Sequence, residues 1–238
     1  MYNCFILGSG RSGTSMIAGT LAKCGYYFGD KLIRPRPANA KGFFESEIVN
    51  NINEDILSSI PFKPLPLTKP GYRWISTAPL NCNLIFDTKI AQRIRRVINH
   101  SPFCLKDPRF CYTLPVWQAA LTSPAKVICI YRHPSRTAHS IMKECVMQNI
   151  KGMTYDKAIQ IWNSMYTHVL NQSCNKNWLF FHYDQIVTKT ALYQLEKFLN
   201  VEVDKTFPDQ KLQHQFTKYP LSATSRKLYN ELQQRSAF

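Results

Sequence analysis

The stretch Cys4-Phe5-Ile6-Leu7-Gly8-Ser9-Gly10-Arg11-Ser12-Gly13-Thr14-Ser15, running into the helical pattern Ile17/Leu21/Cys24 that Gly25 ends, decides the reading of the chain. Four uninterrupted apolar residues have the character of a strand buried on both faces. The glycines let the backbone curl, and a helix over Met16–Cys24 turns its free N–H groups back into the curl, so several donors converge on one anion. The spacing Gly8-x-x-x-x-Gly13 matches the nucleotide-binding P-loop, but Thr14 stands where that motif requires Lys. A Mg-dependent kinase or NTPase is thereby disfavoured, and a P-loop phosphotransferase is kept as the first alternative. The cation comes instead from Arg11, inside the loop.

The pattern repeats along the chain. Short apolar runs at Phe103–Leu105, Lys126–Tyr131 and Trp178–His182 alternate with helical periodicities at Ile48/Ile52/Ile56, Ile90/Ile94/Val97, Ala158/Ile161/Met165/Val169 and Leu192/Leu195/Leu199. Strands alternating with helices predict an α/β fold, a P-loop-containing parallel sheet flanked by helices, formed as a single domain over residues 1–238. In such sheets ligands bind at the carboxyl ends of the strands.

Polar residues follow three of the strands and one helix approach. Arg132-His133-Pro134 ends the third run, with Ser140 eight residues on; Leu105-Lys106-Asp107-Pro108-Arg109 ends the second; His182-Tyr183-Asp184-Gln185-Ile186 ends the fourth. Lys41-Gly42-Phe43-Phe44-Glu45-Ser46-Glu47 lies between the phosphate loop and the next helix. An Arg at a strand end offers a fork of donors to phosphate oxygens, and a Ser two turns into the next helix can turn its hydroxyl to the same group.

Together and in this order the motifs resemble those of sulfotransferases that use 3′-phosphoadenosine 5′-phosphosulfate (PAPS), in particular the bacterial, Golgi and tyrosylprotein branch. The resemblance runs from Cys4 to about Leu199. It implies that Gly10, Arg11, Ser12, Gly13, Thr14 and Ser15 hold the 5′-phosphosulfate, that Arg132 and Ser140 hold the 3′-phosphate, and that Tyr183 lies near the adenine. It further implies Glu45 as general base, with Lys106 and Arg11 stabilising charge on the departing oxygen. Two departures stand out. Arg226-Lys227 is followed by Leu228 where the cytosolic enzymes have R-K-G, and none of the six His lies in their K-x-H context. No metal is expected.

The formal charge of +15, spread evenly, favours an anionic partner. Lys31, Arg34, Arg36 and Lys41, with the Lys63–Arg73 stretch, suit an anionic or sugar-phosphate acceptor, and a carbohydrate, lipid or small molecule are all compatible. A basic nucleic-acid-binding module and a family member that binds PAPS without catalysis are further alternatives; no basic-aromatic recognition motif supports the former, and nucleic acid is not expected as a partner. The eight cysteines include no C-x-x-C and read as reduced core thiols. Neither a signal h-region nor an apolar run of spanning length is found, so a cytoplasmic protein is expected, with peripheral membrane contact left open. The Pro-rich segment 61–79 is expected to be a loop serving as a lid or substrate-binding element.

Overall fold

The computed structural model describes residues 1–36, 39–60, 71–173, 177–210 and 219–236. Four parallel strands form its sheet: β1 (Cys4–Leu7), β2 (Cys104–Lys106), β3 (Lys126–Tyr131) and β4 (Trp178–His182), in the order β2-β1-β3-β4. β1 is central, pairing Cys4 with both Cys104 and Lys126, while β3 runs beside β4 from Val127–Trp178 to Tyr131–His182.

The two-residue period of each strand divides the core in two. Phe5, Leu7, Leu105, Val127, Cys129 and Tyr131 face one layer, which contains α2 (Glu47–Ile56), α3 (Thr88–Ile98), α4 (Phe110–Ala119), α5 (Pro134–Met147) and α6 (Tyr155–Gln172). Cys4, Ile6, Cys104, Ile128 and Ile130 face the other, built on α1 (Thr14–Leu21), α7 (Tyr183–Val187) and α8 (Leu192–Leu199). A last helix, α9 (Ala223–Arg235), packs along β4 and α6. Phe5 shows the density of the first layer: its ring lies 5.3, 5.2 and 6.1 Å from those of Phe103, Phe110 and Trp117. The described cysteines are free thiols, and among the described residues no helix is long and apolar enough to cross a membrane.

Three expected details shift. β2 runs one residue further than expected, through Lys106, whose side chain is buried, and α1 begins at Thr14 and ends at Leu21. In α2 the expected face Ile48/Ile52/Ile56 is rotated: Ile48 is 39% exposed, and Val49, Ile52, Asn53 and Ile56 point inward. Asn53 disguised that face. It is a polar residue held in the core because its Oδ1 accepts from Thr113 Oγ1 at 2.7 Å and Trp117 Nε1 at 2.8 Å. Of the Pro-rich segment, residues 61–70 lie outside the described residues; Arg73–Ile75 form a short 3₁₀ turn.

The turn after β1 is tied to β3 by a residue from a distant helix. Tyr166, fully buried in α6, donates its hydroxyl to Ile130 O at 2.8 Å and accepts from Ser9 N at 3.2 Å. Gly8 beside it has a φ of 151°, and a Cβ there would collide with Ile130 O. Tyr166→Phe should leave two buried backbone groups unpaired and cost about 1–3 kcal/mol, read as a lowered urea midpoint at constant m-value.

Candidate active site

A cavity of about 730 Å³ opens at the carboxyl ends of the strands, and residues from seven segments far apart in the sequence line it. On its floor is the turn after β1. Gly13 caps α1 with φ 103°, and no side chain caps the first turn, so the N–H groups of Thr14 and Ser15 have no intrahelical acceptor. Two aromatic rings pack against the turn. A Cβ on Gly10 would lie 2.5 Å from the Trp74 ring and one on Gly13 2.6 Å from the Tyr183 ring, so only glycine fits at either point. Ser12 is buried, its Oγ 3.4 Å from Thr137 Oγ1 of α5.

Glu45 reaches the cavity from a loop. It precedes α2, whose N-cap is Ser46, and does not sit in a helical first turn. Backbone bonds from Ile33 N to Glu45 O and from Glu47 N to Lys31 O, both 2.8 Å, fix it in an antiparallel bridge. Its Oε1 is paired with the Lys106 ammonium, and its Oε2 accepts from Asn50 Nδ2 at 3.3 Å. Lys106 is 2% exposed and gives its other protons to Ser15 Oγ at 3.2 Å and Phe43 O at 3.1 Å. Ser15 Oγ in turn donates to Phe43 O and accepts from Asn39 Nδ2 at 2.9 Å, so one hydroxyl joins the phosphate loop, the Glu45 loop and β2. Glu47 points elsewhere, to an exposed pair with Lys31 at 2.7 Å.

The opposite wall is α5. Arg132, at the end of β3, lays its guanidinium 4.2 Å over the Tyr183 ring. Its Nε is buried and has no hydrogen-bond partner among the described residues. Burial, and more weakly the neighbouring Arg136, pulls its pKa down to about 10 against the attraction of Tyr183 and Asp184. Ser140 lines the same cavity, but its hydroxyl is 3.2 Å from Arg11 Nε and accepts from it, so in this state it serves the phosphate loop and not Arg132. Arg11 holds a left-handed φ of 70°, and its Nη1 lies 3.5 Å from Glu144 Oε2. Burial lowers its pKa, with Glu144, Glu45 and Tyr183 acting in the other direction.

A buried charge network, absent from the sequence reading, closes the remaining side. Arg109 donates to Glu54 Oε1 at 2.5 Å, Asp107 Oδ1 at 3.1 Å and Gly71 O at 2.8 Å, and Arg73 donates to Glu54 Oε2 at 2.5 Å. It fastens the Gly71–Ile75 segment so that Tyr72 and Trp74 face the cavity. Arg109 had a signal, standing directly after Lys106-Asp107-Pro108, and Trp74 had one in belonging to the Pro-rich segment 61–79; Glu54, Glu144 and Tyr166 had none. Several cations that suggested an anionic acceptor are already paired: Lys31 with Glu47, Lys41 with Asp209 at 3.6 Å, and Arg73 with Glu54.

The model of a family described as the sulfotransferase family matches residues 4–205. A search of curated proteins returns no match. Among solved structures, a sulfotransferase domain from the curacin biosynthetic pathway superposes with a TM-score of 0.56 at 17% identity, covering 98% of this chain and 97% of that one. A sulfotransferase domain from the olefin synthase of Synechococcus PCC 7002 gives 0.57 at 18%, covering 97% and 94%. A sulfotransferase from Alicyclobacillus acidocaldarius gives 0.52 at 14%, covering 99% and 94%. At these identities the structural likeness is one of fold.

The network predicts acid sensitivity. Burial pushes the Glu54 carboxyl up, but Arg109, the Gly71 backbone and Arg73 together outweigh it and leave its pKa below the usual 4.5. A depressed folded pKa contributes stability that is fully present above 4.5 and is lost as pH falls through the folded value. Glu54→Gln should therefore be destabilised at pH 7 and should lose less further stability than the parent between about pH 5 and pH 3, as measured by urea unfolding across that range.

Proposed function

The chain belongs to the sulfotransferase family, and from that premise we propose that it transfers a sulfuryl group from PAPS to an acceptor hydroxyl, with Glu45 as general base. The observation that carries the reading is the meeting, in one cavity, of an uncapped glycine-rich helix start, a buried Glu45–Lys106 pair, and Arg132 with an unpartnered buried Nε. The donor set fits the nucleotide. Thr14 and Ser15 offer N–H groups, with Gly10, Ser12 and Gly13 shaping the turn and Arg11 adding charge, for a 5′-phosphosulfate. Arg132 supplies the guanidinium for a 3′-phosphate, with Ser140 turning to it from Arg11, and the Tyr183 ring offers a face for a base.

PAPS brings the activated sulfuryl group; the chain supplies position and charge. Glu45 Oε2 keeps a lone pair beyond its bond to Asn50 and takes the proton of the acceptor hydroxyl. Protonation of that carboxylate removes the counter-charge of Lys106 at the moment when negative charge on the departing oxygen calls for a cation. Base and electrophile are thus coupled through one ion pair. Trp74 over Gly10 and the Arg109 network keep bulk water from that side of the turn.

Incubating the protein with ³⁵S-labelled PAPS and fractionated host extract should move label into one class of acceptor; no transfer to any fraction, with no binding of the desulfated nucleotide, would refute the reading. Two variants test the assigned residues. Arg132→Ala should weaken 3′-phosphoadenosine 5′-phosphate (PAP) by about 1.5–3 kcal/mol and leave adenosine 5′-phosphate nearly unaffected in calorimetry; equal losses would remove the 3′-phosphate from Arg132. Glu45→Gln, which retains an acceptor for Lys106, should lower kcat by roughly two to four orders of magnitude with little change in PAP affinity. A nitrophenol acceptor, largely ionised near neutral pH, should partly rescue Glu45→Gln and leave Lys106→Ala impaired; the reverse pattern would exchange their roles.

A further inference from the structure

A carboxylate stands where an anion site should least tolerate one. Glu144 lies one helical turn beyond Ser140 on α5, is 2% exposed, and lines the same cavity as Arg11, Arg132 and Tyr183. Its Oε1 accepts from Gln148 Nε2, and Gln148 lines the cavity too. Its Oε2 is buried without a hydrogen bond among the described residues, and its neighbour is the Arg11 guanidinium at 3.5 Å. Arg11 is drawn to α5 by two contacts, this one and the bond to Ser140 Oγ. Leaving a buried carboxylate oxygen unsatisfied is unfavourable, and placing it beside incoming phosphate and sulfate adds repulsion.

Resting on the reading of Arg11 as a ligand of the phosphosulfate, we propose that Glu144 is the counter-ion of Arg11 in the donor-free protein and, once the donor has taken Arg11, the recognition group for the acceptor. Arg11 has one guanidinium and two competing anionic partners, so donor binding releases Glu144. The freed carboxylate, with the Gln148 amide beside it, then faces the cavity as a hydrogen-bond acceptor. It selects a group that donates hydrogen bonds, a hydroxyl or an ammonium, and repels an acceptor carrying an anion at that point. The paired state of Lys31, Lys41 and Arg73 points the same way, because those cations are not waiting for an acidic acceptor. Donor binding precedes acceptor binding in this scheme.

The test reads binding. By calorimetry, Glu144→Gln should bind PAP about tenfold more tightly than the parent, because a competitor for Arg11 and a like charge are both removed. Glu144→Ala should do the same, separating charge from shape, and thermal unfolding shows that each variant is folded. In the PAP-loaded parent, tyramine should bind more tightly than 4-hydroxyphenylacetate, which has the same phenol and the opposite charge, and Glu144→Gln should lose that preference. Unchanged or weaker PAP binding in both variants, or no preference between the two phenols in the parent, overturns the proposal. Failure of the parent itself to bind PAP overturns the donor assignment, and this proposal with it.

Discussion

A single ammonium group holds the two sides of the site together. Lys106 leaves the end of β2 with its carbon stem in the core, and its three protons go to three acceptors on two separate parts of the chain: Ser15 at the start of α1, and the Glu45 carboxylate and Phe43 carbonyl on the loop before α2. None could be lost cheaply, because an ammonium at 2% exposure has no water to fall back on. The sheet fixes Lys106 through Ile6, its register partner, and Lys106 then fixes the distance between phosphate loop and carboxylate. In the proposed mechanism the chemical and the structural roles of the pair are therefore inseparable: the contact that places Glu45 is the one that its protonation would loosen.

The same economy governs the other charges. A chain with a formal charge of +15 would be expected to present an open field of cations, yet at the cavity most are matched: Arg109 by Glu54 and Asp107, Lys41 by Asp209, Arg11 by Glu144. Arg132 differs. Its guanidinium rests on an aromatic face, which attracts it without using its donors, and burial makes the cation less favourable than in water. The proposed selectivity for an anion at that point rests on local pairing and not on the net charge.

Much of the fold was legible because it rests on local patterns. Cys4–Leu7, Lys126–Tyr131 and Trp178–His182 are uninterrupted apolar runs, and a strand buried on both faces needs nothing else to announce it. The resemblance also brought to notice residues that prove to share one cavity, among them Arg11, Glu45, Lys106, Arg132, Ser140 and Tyr183. What stayed hidden is what acts across the fold. Trp74 covers Gly10 because Arg73 and Gly71 are pinned by Glu54 and Arg109, and no spacing encodes that closure. Tyr166 carried no signal in the sequence, since its hydroxyl has partners only after β3 and the turn after β1 have met. The bond from Arg11 Nε to Ser140 Oγ was not legible either, because a helix period places a side chain on a face but cannot choose between two cations there.

The central position of β1 bears on how such a protein reaches its folded state. Its neighbours on either side begin at Cys104 and Lys126, so the strand that carries the phosphate loop has no hydrogen-bonding partner until the chain is made past Lys106, and lacks its second until the chain is past Tyr131. Until then four apolar residues and an unpaired backbone remain available to any passing edge. Such a sheet has little local reward to guide its assembly and folds as one late, cooperative event, with loop closures over about a hundred residues completed before the first ladder forms. During synthesis the vulnerable species is thus a nascent chain that already displays its most apolar strand and still lacks both of the strands that shelter it.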